Sequence, residues 1–451
     1  MGSEQDLLQD TIAAIATPAG TGGIGIVRVS GPKSAEIARS LIGGVPTPGR
    51  WMRAYFRDAS RAPLDDGVAL FFRNPASYTG EDVLELQGHG GPVVMHRLLE
   101  EVTVLGARLA RPGEFTERAF LNGKLDLVQA EAVADLIGSQ TQAAVQASLR
   151  SLSGEFSGIL SSISKKIGEL RVYIESNIDF SEEPVEPCST PWARERLAVV
   201  KGDIARVLDQ VRPGVLLGRG ARVVLAGVPN AGKSSLLNTL SKADRVIVSE
   251  EPGTTRDVVE VKIDLAGLAI QLTDTAGLRD SPDRIENEGV RRARSAMQQA
   301  DLVLAIIDDA AAATEQQDVF SGLTDDVSTL TVYNKCDLSG RKAGIVSTST
   351  PTAVAVSART GEGLSVLEDQ IRASLGLAGG MVESFMARRR HVEALETTTR
   401  HLAAASDHVG SAAELLAEEL RLAQTSLGRI TGEVTTEDLL GEIFSTFCIG
   451  K

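Results

Sequence analysis

The stretch with the clearest chemical potential is Gly-Val-Pro-Asn-Ala-Gly-Lys-Ser at residues 227–234. It follows the apolar run 223–226, which predicts a buried strand, and precedes residues 235–240, which predict the start of a helix. Backbone N–H groups in such a turn point inward, and the helix dipole favours negative charge at its N-terminus. Lys233 could reach the β- and γ-phosphates of a nucleotide, and the Ser234 hydroxyl could bind Mg²⁺. The context predicts a nucleotide site; the alternative is a tight turn with a surface lysine.

Two later segments could complete the contacts with phosphate and Mg²⁺. Residues 253–257 read Gly-Thr-Thr-Arg-Asp, and the Thr255 hydroxyl could complete the Mg²⁺ shell. Residues 274–277 read Asp-Thr-Ala-Gly and follow a predicted strand. Asp274 could hold the water shell of the metal, and the Gly277 N–H could contact the γ-phosphate.

Two further segments could read the base of the nucleotide. Residues 334–337 read Asn-Lys-Cys-Asp and follow the predicted strand 330–333. The Asp337 carboxylate could accept both N–H groups on the edge of guanine, and the pair Ser357 and Ala358 offers a backbone N–H to the guanine carbonyl. Adenine lacks that exocyclic amine, so a buried carboxylate would stay unpaired, which can discriminate by roughly 10⁴-fold. The predicted nucleotide is therefore GTP.

Each of these motifs alone is a weak signal, because short patterns recur by chance. Five of them in this order predict a GTPase, and the region resembles the translation-factor-related class of P-loop GTPases. The nucleotide contacts predicted from the motifs are Asn230, Ala231, Gly232, Lys233, Ser234, Ser235, Thr255, Asp274, Thr275, Ala276, Gly277, Asn334, Lys335, Asp337, Ser357 and Ala358.

The position after the Asp-x-x-Gly motif departs from Ras-like GTPases, in which a glutamine there orients the attacking water. This chain has Leu278, which cannot orient water. A carboxylate in the following loop could replace it, and four acids are near-equal candidates by position: Asp280, Asp283, Glu286 and Glu288. We select Glu286 as the residue that orients the water.

Asn230 is a second departure, because it lies inside the phosphate loop. Its side-chain carbonyl could coordinate a monovalent cation beside the phosphates. Such an ion could supply the charge that an arginine finger otherwise provides. The alternative is an asparagine that makes a local hydrogen bond to the backbone.

Composition limits the class of protein. The 451 residues suffice for about three domains. The chain is 43% hydrophobic and has no apolar run of about 18 residues, which predicts a protein that does not span a membrane. Its polar start does not resemble a signal peptide. Three cysteines, Cys188, Cys336 and Cys448, cannot form a disulfide framework, which favours a reducing cytoplasm.

The formal net charge of −14 argues against broad, non-specific binding of nucleic acid. A local basic patch is compatible with that charge. Residues 387–391, Ala-Arg-Arg-Arg-His, are one candidate, although such a group is more typical of a solvated helix end.

Hydrophobic periodicity predicts a multi-domain α/β chain. Residues 1–122 alternate short apolar runs with turns and helical patterns, which indicates an α/β domain. Residues 123–215 are helical, and an apolar stripe over 149–174 predicts one long amphipathic helix. Residues 216–378 alternate strands and helices around the phosphate loop, and residues 379–451 are helical again. We therefore predict a P-loop GTPase domain of the Ras-like type, inserted between two parts of an all-α central domain.

One glycine-rich segment imitates a dinucleotide site. Residues 20–25, Gly-Thr-Gly-Gly-Ile-Gly, match the fingerprint literally. A predicted strand rather than a helix follows them, so the helix N-terminus that would bind pyrophosphate is missing. We predict that this chain binds neither NAD nor FAD here.

Segments at both ends of the chain resemble one particular protein family. They are Ala-Thr-Pro at 16–18, the run 79–91, and the runs 110–115, 118–122, 124–127 and 447–451. With the GTPase motifs, they resemble the bacterial tRNA modification GTPase family called MnmE or TrmE. The resemblance implies an N-terminal domain that binds 5-formyltetrahydrofolate or a related one-carbon tetrahydrofolate. It also implies a homodimer formed through that domain and K⁺-stimulated GTP hydrolysis. With the FAD-dependent flavoprotein MnmG, such a protein would install an aminomethyl or carboxymethylaminomethyl group at C5 of the wobble uridine of certain tRNAs.

The resemblance also implies roles for individual residues at matching positions. The folate contacts would be Arg28, Glu85, Lys124 and Lys451. The K⁺ ligands would be Asn230, Ser249, Glu251 and Thr254, of which Ser249 and Thr254 would also contact the nucleotide. Mg²⁺ would bind Ser234 and Thr255, and Glu286 would be catalytic. Cys448 matches the family's tail cysteine, whose role the resemblance leaves open. Its place near the C-terminus predicts a mobile and accessible side chain, as a catalytic, reactive thiol needs. For Cys448, the alternative is a small apolar anchor beside Phe447.

A ribosome-assembly GTPase that docks on ribosomal RNA is the alternative function, because it would use the same nucleotide motifs. The acidic net charge and the lack of a recognisable RNA-binding module count against it. GTP-dependent co-sedimentation with ribosomal subunits would favour it.

Overall fold

The computed structural model describes residues 10–179, 190–241, 245–247, 260–274, 295–311, 327–348, 352–377 and 384–450. Among the helices of these ranges, none is long and apolar enough to cross a bilayer.

The N-terminal part is built on a six-stranded mixed sheet in the order β3-β4-β5-β2-β1-β6. Its strands are β1 (Ile12–Ile15), β2 (Gly22–Ser30), β3 (Trp51–Arg57), β4 (Pro63–Phe72), β5 (Val83–Gly90) and β6 (Arg108–Leu109). Only the β1–β6 pair is parallel. The helices are α1 (Ser34–Ile42), α2 (Pro92–Val104) and α3 (Glu114–Leu121). The predicted α/β character of this region is confirmed.

One face of this sheet packs against α1 and α2. Alternate residues such as Val27 on β2 and Leu86 on β5 are fully buried beside Ile37 of α1 and Leu98 of α2. Successive side chains of a strand point to opposite faces, so the residues between them lie on the other face of the sheet. The glycine-rich segment 20–25 leads into β2, which confirms that a strand follows it.

The second sheet has seven strands in the order β12-β13-β11-β10-β7-β9-β8. They are β7 (Ala221–Ala226), β8 (Glu260–Leu265), β9 (Leu268–Asp274), β10 (Leu302–Asp308), β11 (Thr329–Asn334), β12 (Gly344–Ser347) and β13 (Ala353–Ala355). Helices α8 (Lys233–Leu240), α9 (Cys336–Ser339) and α10 (Leu364–Ser374) follow its strands. The five inner strands are parallel and the two edge strands are antiparallel. Ligands of such sheets bind at the carboxyl ends of the parallel strands.

The remaining helices are α4 (Leu127–Gly138), α5 (Gln142–Leu152), α6 (Glu155–Asp179), α7 (Thr190–Arg219), α11 (Arg389–His408), α12 (Ala413–Thr431) and α13 (Glu437–Ser445). The prediction of one long helix over 149–174 was wrong, because α5 ends and α6 begins within it. Gly154 lies at the junction with a φ of 84°, a left-handed conformation that glycine adopts without strain. The apolar stripe continues across the break, so periodicity alone did not reveal it.

By its internal contacts the chain divides into two compact units. One comprises the described parts of Met1–Ala134, Ser151–Val200 and Thr397–Lys451. The other comprises those of Asp135–Arg150 and Lys201–Glu396. Each unit combines stretches from several of the segments predicted from sequence, so the predicted domain limits stay a prediction.

Candidate nucleotide-binding site

The phosphate loop has the predicted strand–turn–helix context, since β7 ends at Ala226 and α8 begins at Lys233. Two loop residues have left-handed backbones, Asn230 with φ 64° and Gly232 with φ 91°. Asparagine and glycine are the residues that adopt this region most readily. A Cβ on Gly232 would lie 2.2 Å from the side-chain nitrogen of Asn334, so only glycine fits.

Lys233 is buried, with 5% of its surface exposed. Its ammonium donates to the carbonyls of Gly227 at 2.8 Å and Val228 at 2.9 Å, and so closes the loop on itself. A buried cation at the N-terminus of α8 adds to the positive end of the helix dipole. This part of the loop is therefore suited to bind an anion.

Two oxygen donors meet beside the loop. The Ser234 hydroxyl donates to a carboxylate oxygen of Asp274, at the end of β9, over 2.8 Å. Hydroxyl and carboxylate oxygens are ligands that Mg²⁺ prefers, so the pair fits the predicted metal. Ser235 is exposed and follows on the same helix.

Asn334 joins the phosphate loop to the base-recognition segment. Its side chain is 1% exposed and donates to the carbonyl of Ala231 at 3.0 Å. Its side-chain oxygen accepts from the N–H of Ala358, also at 3.0 Å. The Thr239 hydroxyl of α8 holds the Ala358 carbonyl at 2.9 Å. Three segments that are distant in sequence thereby form one hydrogen-bonded unit.

Asp337 carries the carboxylate expected to read guanine. It accepts from the hydroxyl of Ser357 at 2.7 Å and from the guanidinium of Arg359 at 2.7 Å. The pKa of Asp337 is lowered below its ordinary value. The hydrogen bond from Ser357 is the largest cause, and the positive charge of Arg359 adds to it. The group is therefore ionised at neutral pH and can only accept hydrogen bonds, which the guanine edge requires.

Two contributors to this site were not singled out from sequence. Arg359 directly follows the predicted pair Ser357 and Ala358, but its charge does not reveal which acid it pairs with. Asp308 ends β10 and accepts from the ammonium of Lys335 at 2.7 Å. That ammonium also donates to the carbonyl of Asn230 at 2.8 Å. The only available signal for Asp308 was its place at the carboxyl end of a buried strand.

Several residues predicted for the site lie outside the described ranges. They are Ser249, Glu251, Thr254, Thr255, Thr275, Ala276, Gly277, Glu286 and Lys451. Leu278 and the other candidate acids of its loop also lie outside these ranges.

Two of the residues implied as folate contacts meet on the N-terminal sheet. Arg28 of β2 and Glu85 of β5 are direct register partners, and the Arg28 Nε lies 2.9 Å from a Glu85 carboxylate oxygen. The Arg28 guanidinium lies over the rings of Tyr78 at 5.6 Å and Phe115 at 5.8 Å. A cation, a carboxylate and aromatic rings together suit a ligand with carboxylates and a hydrogen-bonding ring. Lys124 is exposed and donates to the carbonyl of Pro75 at 3.0 Å.

The C-terminal tail lies against this same region. The Gly450 carbonyl accepts from the Arg28 guanidinium at 3.2 Å, and the Cys448 carbonyl accepts from the Gly113 N–H at 3.4 Å. Gly450 has φ 96°, and a Cβ there would lie 2.5 Å from the Ile15 carbonyl oxygen. These contacts hold residues 448–450 against the N-terminal sheet, and the expected mobility of the tail stays a prediction.

The two described cysteines differ in exposure. Cys448 is exposed, as expected for a reactive thiol, whereas its neighbour Phe447 is buried and packs on Phe444 at 5.3 Å between ring centroids. Cys336 is buried, and its desolvation raises the pKa of the thiol. The apolar anchor of the tail is thus Phe447, and the role of Cys448 stays a prediction.

A buried charge network attaches α3 to the N-terminal sheet. Arg118, 2% exposed, pairs with Glu81 at 3.1 Å and with Glu114 at 3.2 Å. Burial alone would raise the pKa of Glu114, but hydrogen bonds from Arg108 and the Arg111 N–H, with the nearby positive charges, outweigh it and lower the pKa to about 2. Glu81, Glu114 and Arg118 fall in the segments that carried the family resemblance.

Two arginines of residues 387–391 have acidic partners. Arg388 lies 3.3 Å from Asp135, and Arg389 pairs with Glu393 one turn further along α11. His391 is buried, with 1% of its surface exposed. The cluster therefore matches the alternative interpretation, the start of a helix, better than a patch for nucleic acid.

Comparisons with known proteins cover nearly the whole chain. A family model described as the MnmE helical domain matches residues 127–448, and one described as the GTP-binding protein TrmE N-terminus matches residues 11–124. The tRNA modification GTPase MnmE of Nitrosococcus oceani is 49% identical over 98% of this chain and 98% of its own. That of Alkalilimnicola ehrlichii is 49% identical over 99% of this chain and 100% of its own.

Some solved structures resemble a part of the chain. The G domain of the T. maritima FeoB iron transporter is 24% identical, with a TM-score of 0.26, and the match covers 34% of this chain and 98% of that one. The two family models together match most of the chain, and the range 127–448 spans the phosphate loop. The curated relatives are named tRNA modification GTPases, which favours that function over the alternative of a ribosome-assembly GTPase.

Proposed function

This chain belongs to the MnmE (TrmE) family of tRNA modification GTPases, and on that premise we propose that it couples GTP hydrolysis to modification of tRNA. The modified atom is C5 of the wobble uridine, at position 34 of certain tRNAs. The added group is an aminomethyl or carboxymethylaminomethyl group. The place of action is the cytoplasm.

The observation that carries the nucleotide assignment is the unit formed around Asn334. One buried amide bridges the phosphate loop and the Ala358 backbone, and so sets the distance between the phosphate and base subsites. The ionised Asp337 lies next to it in sequence and accepts from Ser357. A guanine N–H pair would replace the donors that Asp337 now uses. GTP and GDP are therefore the nucleotides that fit.

Hydrolysis needs charge neutralisation and an oriented water molecule. Lys233 and the N-terminus of α8 supply positive charge at the phosphates. Ser234, Asp274 and Thr255 would hold Mg²⁺, which neutralises charge on the β- and γ-phosphates when bound. Glu286 would accept a hydrogen bond from the attacking water and so align it.

Replacing Glu286 with alanine should lower kcat for GTP hydrolysis by on the order of 10²-fold or more, because water orientation by a positioned carboxylate is lost. Binding of GTP should stay within a few-fold of the unchanged protein. Single-turnover hydrolysis and titration with a fluorescent GTP analogue measure the two quantities. Glu288→Ala is the matched control, and an equal loss in that variant would contradict the assignment of Glu286.

Asn230, Ser249, Glu251 and Thr254 would hold K⁺, which adds positive charge beside the phosphates when bound. Asn230 has a left-handed backbone, with φ 64°. Alanine would strain that backbone, so Asn230→Gly is the cleaner variant. Hydrolysis rates in K⁺ and Na⁺ should differ widely in the unchanged protein and converge in Asn230→Gly. Asn238→Ala on α8 is the control, and equal rates in both salts before mutation would refute the role.

The one-carbon part of the proposal rests on the pair Arg28 and Glu85, with Lys124 and Lys451 as further contacts. Folate bound there would supply a one-carbon unit. The tail contact between Gly450 and Arg28 brings the chain end to this region, which supports a role for Cys448 nearby. The proposed partners are a second copy of the chain and the FAD-dependent flavoprotein MnmG. Since residues 20–25 lead into a strand, we assign the flavin to that partner.

Nucleoside analysis of tRNA tests the whole proposal. In cells that lack the protein, the modified wobble uridines should disappear, and the gene should restore them. A gene that carries Glu286→Ala should fail to restore them at equal protein level. Wobble uridines that are unchanged after deletion would refute the proposed function.

A further inference from the structure

The terminal strand of the N-terminal sheet, β3, exposes an alternating row of aromatic and basic side chains. These are Trp51, Arg53, Tyr55 and Arg57, here called the β3 stripe. Trp51 is 72% exposed and Tyr55 is 57% exposed. Ala54 and Phe56, which alternate with the stripe residues along β3, are buried on the other face. The alternation follows from the two-residue period of a strand.

The stripe is a preformed set of flat surfaces and positive charges. The guanidinium of Arg53 lies 5.9 Å from the centre of the Tyr55 ring, and that of Arg57 lies 6.0 Å from it. The chain has only two tryptophans. The other, Trp192, packs on Tyr173 at 4.5 Å between ring centroids, so the exposure of Trp51 is not the general rule in this chain. Exposed aromatic groups of this kind mark an interaction site.

Strand register connects the stripe to the Arg28–Glu85 pair. Trp51 is the partner of Leu70 on β4, Leu70 of Glu85 on β5, and Glu85 of Arg28 on β2. Side chains in register point to the same face, so these four share one row across the sheet. Neighbouring strands lie about 4.8 Å apart, which puts Trp51 about 14 Å from Arg28 along the sheet.

The charge around the stripe is opposite to that of the chain as a whole. Residues 50–73 contain five arginines and three aspartates, with no lysine or glutamate, whereas the chain carries −14. Arg53 pairs with Asp66 at 3.2 Å, and the two side chains are 70% and 40% exposed. Exposed pairs of this kind contribute little, and phosphate can compete for the arginine. The face is complementary to a polyanion.

We propose that the β3 stripe is a stacking platform for unpaired nucleotides of the tRNA substrate. Unpaired bases stack on Trp51 and Tyr55, and phosphates pair with Arg53 and Arg57, since RNA recognition in single-stranded loops uses aromatic and guanidinium planes. The row of side chains from Trp51 to Arg28 then directs a bound loop of the tRNA toward the region assigned to the one-carbon donor. The proposal rests on the proposed tRNA function and adds the surface that holds the substrate.

The test is binding of a labelled, unmodified tRNA transcript with a wobble uridine to the full-length protein, by fluorescence anisotropy at several salt concentrations. Trp51→Ala/Tyr55→Ala should weaken binding by on the order of 10- to 100-fold, because two stacking planes are lost. Trp51→Phe/Tyr55→Phe should retain most of the affinity. Arg53→Ala/Arg57→Ala should reduce the salt slope by about 0.7 for each lost contact with single-stranded phosphate.

Two controls distinguish binding at the β3 stripe from binding elsewhere on the protein. Arg39→Ala, on a helix that packs against the opposite face of the sheet, should leave tRNA binding unchanged. In Trp192→Phe, tRNA should still quench the remaining fluorescence of Trp51, whereas in Trp51→Phe the quenching should disappear. GTP hydrolysis should be unchanged in every stripe variant.

Unchanged tRNA affinity in Trp51→Ala/Tyr55→Ala, while the unchanged protein binds the transcript, would overturn the stripe alone. A smaller oligomer of that variant in sedimentation would also overturn it, since the stripe would then bind a second copy of the chain. Failure of the unchanged protein to bind the transcript would contradict both the stripe and the proposed function.

Discussion

Replacing Asp337 with asparagine is expected to lower GTP affinity by on the order of 10³- to 10⁴-fold, because the carboxylate that accepts both guanine N–H groups becomes a side chain that also donates. In the structure this carboxylate accepts two hydrogen bonds, from Ser357 and Arg359, and donates none. Its lowered pKa keeps it in that form across the neutral range. The amide of asparagine would point an N–H group at the guanine amine. Two donors would then face each other, and neither would have an acceptor.

The same reasoning predicts a change of preference rather than a simple loss. Xanthine carries a carbonyl where guanine carries the exocyclic amine, so the amide of Asp337→Asn can donate to it. Xanthosine triphosphate should therefore bind more tightly than GTP in this variant. Titration calorimetry with both nucleotides measures the reversal.

Asp309→Asn is the matched control for Asp337. Asp309 also accepts from an arginine, Arg341, at 2.8 Å, but it lies outside the base-recognition motif. In that control, GTP affinity should change by less than about threefold. A tenfold change would correspond to about 1.4 kcal/mol of binding free energy. If Asp337→Asn kept both its GTP affinity and its discrimination against xanthosine triphosphate, the assignment of Asp337 would be wrong.

Replacing Lys233 with methionine should lower GTP affinity by on the order of 10²- to 10⁴-fold and remove measurable hydrolysis. The buried ammonium holds two loop carbonyls, and phosphates would compete for the same three donors. Hydrogen bonds that involve a charged group contribute about 1.5–3 kcal/mol each, so the loss of two such bonds accounts for this range. Methionine keeps an unbranched stem of similar length and removes only the charge and the donors.

This substitution also affects the protein without nucleotide, and the two effects can be separated. The carbonyls of Gly227 and Val228 lose a donor, which costs about 1–3 kcal/mol for a buried acceptor that stays unpaired. Thermal unfolding without GTP measures that cost, and titration with GTP measures the loss of binding. Lys342→Met, at an exposed position in the same unit, should change neither. Affinity within threefold of the unchanged protein in Lys233→Met would refute the phosphate role.

The elements around the nucleotide site follow from local sequence to a large degree. Apolar residues over 223–226 predicted β7, and the structure extends it to Ala221–Ala226. A glycine with a left-handed backbone directly before Lys233 and an apolar period after it start α8 there. The residue types and order of the motifs predicted GTP. Three of the motifs lie at the ends of β7, β9 and β11, and parallel strands end at the same edge of a sheet.

Other features were not available from sequence because they depend on residues that are far apart in the chain. The break at Gly154 leaves the apolar period intact, so the stripe over 149–174 looked continuous. The sequence does not show which of the many arginines pairs with Asp337. Only the fold brings Arg359 to its carboxylate. No local pattern near Cys448 predicts the contact between Gly450 and Arg28.

The sequence by itself determined the chemistry that each segment can perform, since a phosphate loop or a base-reading carboxylate is recognised from residue types a few positions apart. Only the tertiary structure decided which segments act together. Asn334 bonds to Ala231, which lies 103 positions away, and strand register aligns Trp51 with Arg28 across three strand pairs. The physical reason is that cross-strand pairing and buried hydrogen bonds are set by packing of the whole sheet, which no local run of residues encodes.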